Sequence, residues 1–134
     1  IKHSYLVIYE TIVKLHPSSG KSFVQHKIEK EYPALKDSFL DLLNKINDFR
    51  TIVDYKKISN SRNYIAGHIE KSLKTYYDTA LSLDADEAGK YISKFLKILC
   101  EAMKIMQAYK SINDSYLISF RDKLKNFNDE YNFR

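Results

Sequence analysis

The segment from Arg62 to Lys71 holds the residue types of this 134-residue chain that could carry out chemistry. An arginine guanidinium binds phosphate through a fixed fork of N–H donors. A histidine titrates near pH 6.5, so it can accept or donate a proton near neutral pH. Arg62 and His68 are six residues apart, which is about 600° on a regular helix and leaves their side chains roughly 120° apart. The two side chains therefore converge only if the helix bends or breaks between them, and Gly67 is one place where that is easy.

The same segment resembles the signature of the HEPN superfamily. In that signature an arginine, usually followed by a polar residue, precedes a histidine by a few residues, near the end of one helix and the entry to the next. Asn63 is of the favoured polar type, and Ile65 and Ala66 are similar to residues before the histidine in abortive-infection members. Position 70 is Glu70 where one toxin–antitoxin subgroup has a tyrosine that its partner modifies, which argues against that subgroup.

The resemblance implies a metal-independent RNA-cleaving or RNA-binding protein of phage defence or another stress response, without a cofactor. Members pair as a homodimer, so that two motifs face one cleft. His68 would be the general acid/base on the 2′-hydroxyl or the leaving 5′-oxygen, and Arg62 would hold the scissile phosphate. Asn63 would orient the histidine or the phosphate, and Tyr64 would stack a base. Four lysines would follow the RNA backbone, namely Lys56, Lys57, Lys71 and Lys74.

An alternative interpretation assigns no chemistry to the segment. Arg62 would then be paired with a carboxylate of a helical bundle, and His68 would be an exposed helix residue. The function would be that of a non-catalytic helical domain that binds a protein partner. The chain has 11 tyrosines, and four of them are expected at the edge of the core or at such an interface: Tyr76, Tyr77, Tyr116 and Tyr131.

Composition excludes several other classes of protein. Lysine and arginine number 22 against 17 acidic residues, and this net charge of +5 is mixed along the chain, so it permits RNA contact without requiring it. The sequence contains no run of eighteen apolar residues, so it predicts no membrane span. The single cysteine, Cys100, favours a reducing, cytoplasmic location. Cys100 and four scattered histidines predict no metal site, and the spacing of Cys100 places it among buried packing residues.

Three glycines and two prolines are too few for an all-β protein and favour long helices. A first short helix is expected to end at residues 16–20, and Ser22 with Gln25 predicts the start of a second. Pro33 is predicted to begin a third helix, since a proline at the first position loses no hydrogen bond. Its apolar stripe is Leu35, Phe39, Leu42, Ile46, Phe49 and Val53.

The second half of the chain predicts further helices. One spans about residues 61–81, and Asp84 with Glu87 opens a long helix whose inner face would run from Ala88 to Met103 and Met106. Residues 113–115 are expected to end that helix. A final helix would follow, with Leu117, Phe120, Leu124, Phe127 and Tyr131 turned inward. The predicted fold is a single all-α domain over residues 1–134, an antiparallel bundle of four main helices with short extra N-terminal helices.

Overall fold

The computed structural model describes residues 1–63 and 73–130 of the chain. They form α1 (Lys2–Leu15), α2 (Phe23–Glu31), a 3-10 turn (Pro33–Leu35), α3 (Lys36–Ile52), α4 (Tyr55–Ser61), α5 (Leu73–Leu81) and α6 (Ala85–Glu130). No strand occurs in these two ranges, which confirms the prediction of an all-α protein. Among the same residues, none of the helices combines the length and the apolar character that crossing a membrane requires.

Polar caps fix where the predicted helices begin. Ser22 Oγ accepts a hydrogen bond from the N–H of Gln25 at 3.1 Å, and Asp84 Oδ1 accepts one from the N–H of Glu87 at 2.7 Å. Each bond satisfies a backbone donor that the first turn of a helix leaves open. Pro33 begins the 3-10 turn that leads directly into α3, so the proline lies one turn ahead of the α-helix. The starts predicted at Ser22 and Asp84 are therefore confirmed.

The stripe predicted on α3 forms the centre of the core. Its side chains are at most 5% exposed: Leu35, Phe39, Leu42, Ile46, Phe49 and Val53. Phe49 faces α6, where its ring centroid lies 6.3 Å from that of Phe95. One turn earlier on the same face of α6, the ring of Tyr91 stacks at 6.0 Å on that of Tyr5 from α1. The first half of α6 thus packs against both α1 and α3.

The predicted break at residues 113–115 is wrong, because α6 continues without interruption through all 46 of its residues. The polar side chains that favour a break find partners that are compatible with the helix. Ser115 Oγ donates to the carbonyl oxygen of Ser111 at 2.9 Å, and Asn113 Oδ1 accepts a hydrogen bond from the hydroxyl of Tyr32 at 3.1 Å. Such residues cost only a few tenths of a kcal/mol each in a helix interior. The good helix formers on both sides outweigh this cost.

The predicted inner face of α6 is also partly wrong. Met103 and Met106 are 57% and 68% exposed, and Cys100 is exposed rather than buried. The side chains predicted to turn inward on a final helix are exposed too: Leu117, Phe120, Leu124 and Phe127, at 67%, 62%, 48% and 52%. The buried face is Ala88, Tyr91, Phe95 and Ile98. Apolar residues cover more than one side of this helix, so their spacing alone did not tell which side faces α1 and α3.

Candidate functional site

Arg62 lies directly after α4, where the backbone widens into a π-helical turn at Arg62 and Asn63. Asp54 caps the start of α4: its Oδ1 accepts a hydrogen bond from the N–H of Lys57 at 3.0 Å. Ile58, in the middle of α4, is 0% exposed and anchors the helix in the core. Turns of this kind are rare and occur frequently at functional sites. The irregularity falls at the start of the segment in which the sequence predicts a bend.

The guanidinium of Arg62 is held by three neighbours. Its Nε donates to Glu10 Oε1 at 3.1 Å, and its Nη1 donates to Asn63 Oδ1 at 3.3 Å. Its Cζ lies 5.6 Å from the ring centroid of Tyr9. The side chains of Arg62 and Glu10 are 35% and 41% exposed, so water screens this ion pair and its net contribution is about 1 kcal/mol or less. Arg62 is therefore fixed in position, while part of its guanidinium stays accessible.

Tyr9 and Arg62 belong to a row of stacked side chains that joins three helices. The ring of Tyr9 stacks on that of Tyr55 at 6.0 Å, and Arg50 Cζ lies 5.4 Å from the Tyr55 centroid. Arg50 Nη2 also donates to the backbone oxygen of His16, the residue that follows α1. Each cation–π contact contributes roughly 0.5–2 kcal/mol. The row ties α1, α3 and α4 together and places Arg62 at one of its ends.

His16, at the opposite end of this row, is expected to make folding stability depend on pH. Burial, and secondarily the charge of Arg50, lower the pKa of His16 in the folded protein, against a hydrogen bond with Asn47 that raises it. Well above pH 6.5 the imidazole is neutral in both states. As the pH falls below 6.5, the unfolded chain takes up the proton first and the folded state loses stability. We expect the melting temperature of the wild type to fall by a few degrees more than that of His16→Gln between about pH 7.5 and 5.5.

Differential scanning calorimetry of the two proteins at both pH values measures this difference. The carboxylates that titrate at lower pH are common to both proteins, so their contribution cancels. An equal fall in both melting temperatures would contradict the lowered pKa of His16.

Lys57, one of the lysines predicted to follow RNA, forms an ion pair within the protein. Its Nζ lies 2.5 Å from Glu87 Oε2, and Glu87 Oε1 also accepts a hydrogen bond from the hydroxyl of Tyr91 at 2.8 Å. The hydrogen bond between the two charged groups raises the pKa of Lys57 and lowers that of Glu87. This contact joins α4 to the first turns of α6.

The other described lysines of the predicted set lie in mixed surroundings. Lys56 is exposed and lines a cleft of about 320 Å³ that also contains the carboxylates of Asp54 and Asp78. The two carboxylates oppose the binding of phosphate in that cleft. Lys74 is exposed on α5.

Asn63 accepts a hydrogen bond from its sequence neighbour Arg62, whereas Tyr64, His68 and Lys71 lie outside the described residues. Glu10 and Tyr9, which hold Arg62, were not predicted. They are more than fifty positions away in the sequence, and on α1 they are an ordinary polar and an ordinary aromatic residue. Within residues 1–63 and 73–130, no group of three or more histidine, cysteine or acidic side chains could hold a metal ion.

Comparison of the chain with protein-family models, with curated proteins and with solved structures finds no match. The interpretation of the site therefore depends on the residues themselves.

Proposed function

We propose that this protein is a HEPN-like, metal-independent endoribonuclease or RNA-binding protein, in which Arg62 contacts phosphate and His68 is the general acid/base. The observation that supports the proposal is the fixed, partly exposed guanidinium of Arg62 at the end of α4. A guanidinium whose position is already fixed loses less side-chain entropy when it binds a phosphate.

The proposed mechanism needs only the chain's own side chains. His68 takes the proton from the ribose 2′-hydroxyl, whose oxygen attacks the adjacent phosphorus. The bond from phosphorus to the 5′-oxygen breaks, and this oxygen leaves with a proton from the protonated His68 of the second copy, so that the products are a cyclic phosphate end and a 5′-hydroxyl. Arg62 offsets the negative charge that grows on the phosphate oxygens, and Asn63 orients either group by hydrogen bonding. The proposal includes an antiparallel four-helix arrangement, a homodimer whose two motifs share a cleft, a cytoplasmic location and a role in phage defence or another stress response.

Glu10 has a definite consequence for this function. Its carboxylate offsets the charge of Arg62, so a phosphate must compete with it for the guanidinium. The Glu10 carboxylate and the RNA phosphate compete for the same guanidinium. Glu10 therefore lowers RNA affinity, although it also holds Arg62 in position.

Replacement of Glu10 by Gln is therefore expected to tighten RNA binding by about 3–10-fold at low salt, because the carboxylate no longer competes for Arg62. Arg62→Ala is expected to weaken binding by about 10-fold, because the phosphate contact is lost. Fluorescence anisotropy with a short single-stranded RNA measures both effects.

The matched control is Glu29→Gln, which removes the carboxylate of another exposed pair, that of Lys21 and Glu29, and raises the net charge equally. It should leave RNA affinity close to that of the wild type. Equal gains from Glu10→Gln and Glu29→Gln would mean that only net charge matters. Unchanged binding by Arg62→Ala would exclude Arg62 as the phosphate contact.

A second candidate is the non-catalytic helical interaction domain. The observation that favours it is the number of large apolar side chains on the surface: Phe23 at 80%, Met106 at 68%, Tyr116 at 69% and Tyr77 at 57% exposure. Exposed apolar patches of this kind mark protein interaction sites. Of the four tyrosines predicted at the core edge or an interface, Tyr77 and Tyr116 are on the surface. The side chain of Tyr76 and the whole of Tyr131 lie outside what the structure describes.

A further inference from the structure

A groove with apolar walls runs between α2 and α6. Its volume is about 570 Å³, within the range of small-molecule sites, and the buried side chains of Ile28 and Leu35 form its floor. Its rim consists of side chains that are more than half exposed, namely Phe23 at 80%, Met103 at 57% and Met106 at 68%. An apolar groove of this size costs free energy as long as water fills it, so an apolar ligand that displaces this water is bound favourably.

Tyr32 forms a wall at one end of the groove. It follows the last residue of α2 and reaches α6, where its ring centroid lies 4.7 Å from that of Tyr109 and its hydroxyl donates to Asn113 Oδ1 at 3.1 Å. Both tyrosines line the groove. An α-helix of a partner protein is about 10 Å across and needs a groove that is open along its whole length. A thinner and shorter ligand suits a groove that ends at a wall.

The charged side chains among the described residues that line the groove are both lysines, Lys27 and Lys110. They lie at the walled end. Lys110 directly follows Tyr109 in α6. Hydrogen bonds with Tyr32 and Asn113 lower the pKa of Tyr109 against the effect of burial, and the charge of Lys27 lowers it further, so Lys27 is also near Tyr109. Two positive charges therefore flank one end of the groove.

Neither of these lysines is neutralised by a close ion pair in the part of the chain that the structure describes. Lys27 Nζ lies 3.9 Å from Glu31 Oε2, and the two side chains are 42% and 50% exposed, so water screens the pair. Lys110 is exposed and makes no ion pair with any residue of the ranges 1–63 and 73–130. The walled end is therefore electrostatically complementary to an anionic group.

The rest of the groove is apolar. Phe23 precedes Lys27 by four residues, and Met103 precedes Lys110 by seven, so each lies on the same helix face as its lysine, one or two turns away. Methionine side chains are flexible and adapt to the shape of an apolar ligand. The groove thus presents positive charge at one end and apolar walls along the remainder.

We propose that this groove binds a fatty acid, with the alkyl chain along the apolar walls and the carboxylate against Lys27 and Lys110. A single alkyl chain is thin enough for a groove that ends at a wall, and a carboxylate supplies the counter-charge that the two lysines lack. A ligand with the same chain and a cationic head would be repelled at that end.

The inference does not rest on RNA cleavage, since it involves neither Arg62 nor His68. Its test is isothermal titration calorimetry of the whole chain with dodecanoate, kept below the concentration at which this ligand forms micelles. We expect a dissociation constant on the order of 10 µM. Dodecyltrimethylammonium, which has the same alkyl chain and a cationic head, should bind about 10-fold more weakly or worse.

Met106→Glu should weaken dodecanoate binding by about 10-fold or more, because it places a negative charge on the apolar wall. The matched control is Phe120→Glu, which makes the same change of charge on the same helix. Phe120 is 62% exposed but does not line the groove, so its substitution should leave the affinity unchanged. Both side chains are exposed in the wild type, so far-ultraviolet circular dichroism should show that both variants keep their helices.

A double substitution, Lys27→Gln with Lys110→Gln, tests the head-group contact. It should weaken dodecanoate binding by about 10-fold and should not weaken that of dodecyltrimethylammonium. Its control is Lys123→Gln with Lys125→Gln, which lowers the net charge equally at exposed positions of α6 outside the groove. This control should bind dodecanoate as the wild type does.

Four outcomes would overturn the proposal. One is the absence of any heat of binding with dodecanoate at about 100 µM, at two temperatures, since apolar binding changes its enthalpy with temperature. Another is equal affinity for the two head groups. The third is an equal loss of affinity in Met106→Glu and Phe120→Glu, which would mean that the ligand binds any exposed apolar side chain. The fourth is sedimentation with phosphatidylglycerol vesicles without binding of free dodecanoate, which would assign the surface to a membrane.

Discussion

Substitution of His68 by Ala is expected to lower RNA cleavage by about 100-fold or more, because the reaction then lacks the group that moves the proton. The assay is cleavage of a mixed RNA pool in EDTA, which removes metal-dependent nucleases from the preparation. The wild type should leave cyclic phosphate ends. Its rate should follow the protonation state of a histidine, with optimum activity near neutral pH.

His26→Ala is the control for this experiment. His26 is exposed on α2, so its loss should change neither the fold nor the cleavage rate. If wild type and His68→Ala cleave at the same rate, the cleaving activity belongs to another group or another protein. If neither protein cleaves but both bind RNA in an Arg62-dependent way, the function is RNA binding without catalysis.

Replacement of Ile46 by Ala is expected to lower the free energy of unfolding by about 2–5 kcal/mol. Ile46 is 0% exposed at the centre of the α3 stripe, so its truncation removes buried apolar surface and leaves a cavity among the other buried side chains of the core. The total stability of a domain is about 5–15 kcal/mol, so this single change would remove a large part of it. Urea denaturation followed by circular dichroism, at one fixed protein concentration, measures the difference.

Leu40 provides the matched comparison, since it is on the same helix but 38% exposed. Leu40→Ala should cost about 1 kcal/mol or less, because much of its side chain already contacts water. Similar losses for the two variants would mean that α3 does not have the inward face described above.

The parts of the fold that were predictable are those that depend on neighbours in the sequence. The stripe from Leu35 to Val53 repeats every three or four residues with polar residues between, so only one side of α3 could be buried, and it is. Ser22 and Asp84 cap their helices because a short side-chain oxygen reaches the N–H three residues on, whatever the rest of the fold does.

The parts that were predicted wrongly depend on what else is near in space. Met103 and Met106 have a spacing suited to burial, yet α1 and α3 occupy the adjacent side of α6. Residues 113–115 carry the composition of a helix end, but Tyr32, from a distant turn, binds Asn113 and supports the helix there. The sequence of α6 alone contains neither fact.

At the site, the sequence singled out Arg62 and Asn63, but it did not show which side chains surround Arg62. Glu10 reaches Arg62 from another helix, across 52 positions of sequence, and no local pattern links the two. The alternative interpretation included a carboxylate partner for Arg62 in general terms, and the structure identifies it as Glu10. The charge balance of the site was therefore not predictable from the motif.

The unbroken α6 has a consequence for how backbone amides exchange with solvent. All 46 residues share one ladder of hydrogen bonds, but only the first half of the ladder is covered by the core. Amides between positions 88 and 112 are released when α1 and α3 separate from the helix, whereas those of residues 114–130 are released by fraying from the helix end. Deuterium would then enter one continuous helix as a gradient, fastest near Glu130 and slowest near Phe95.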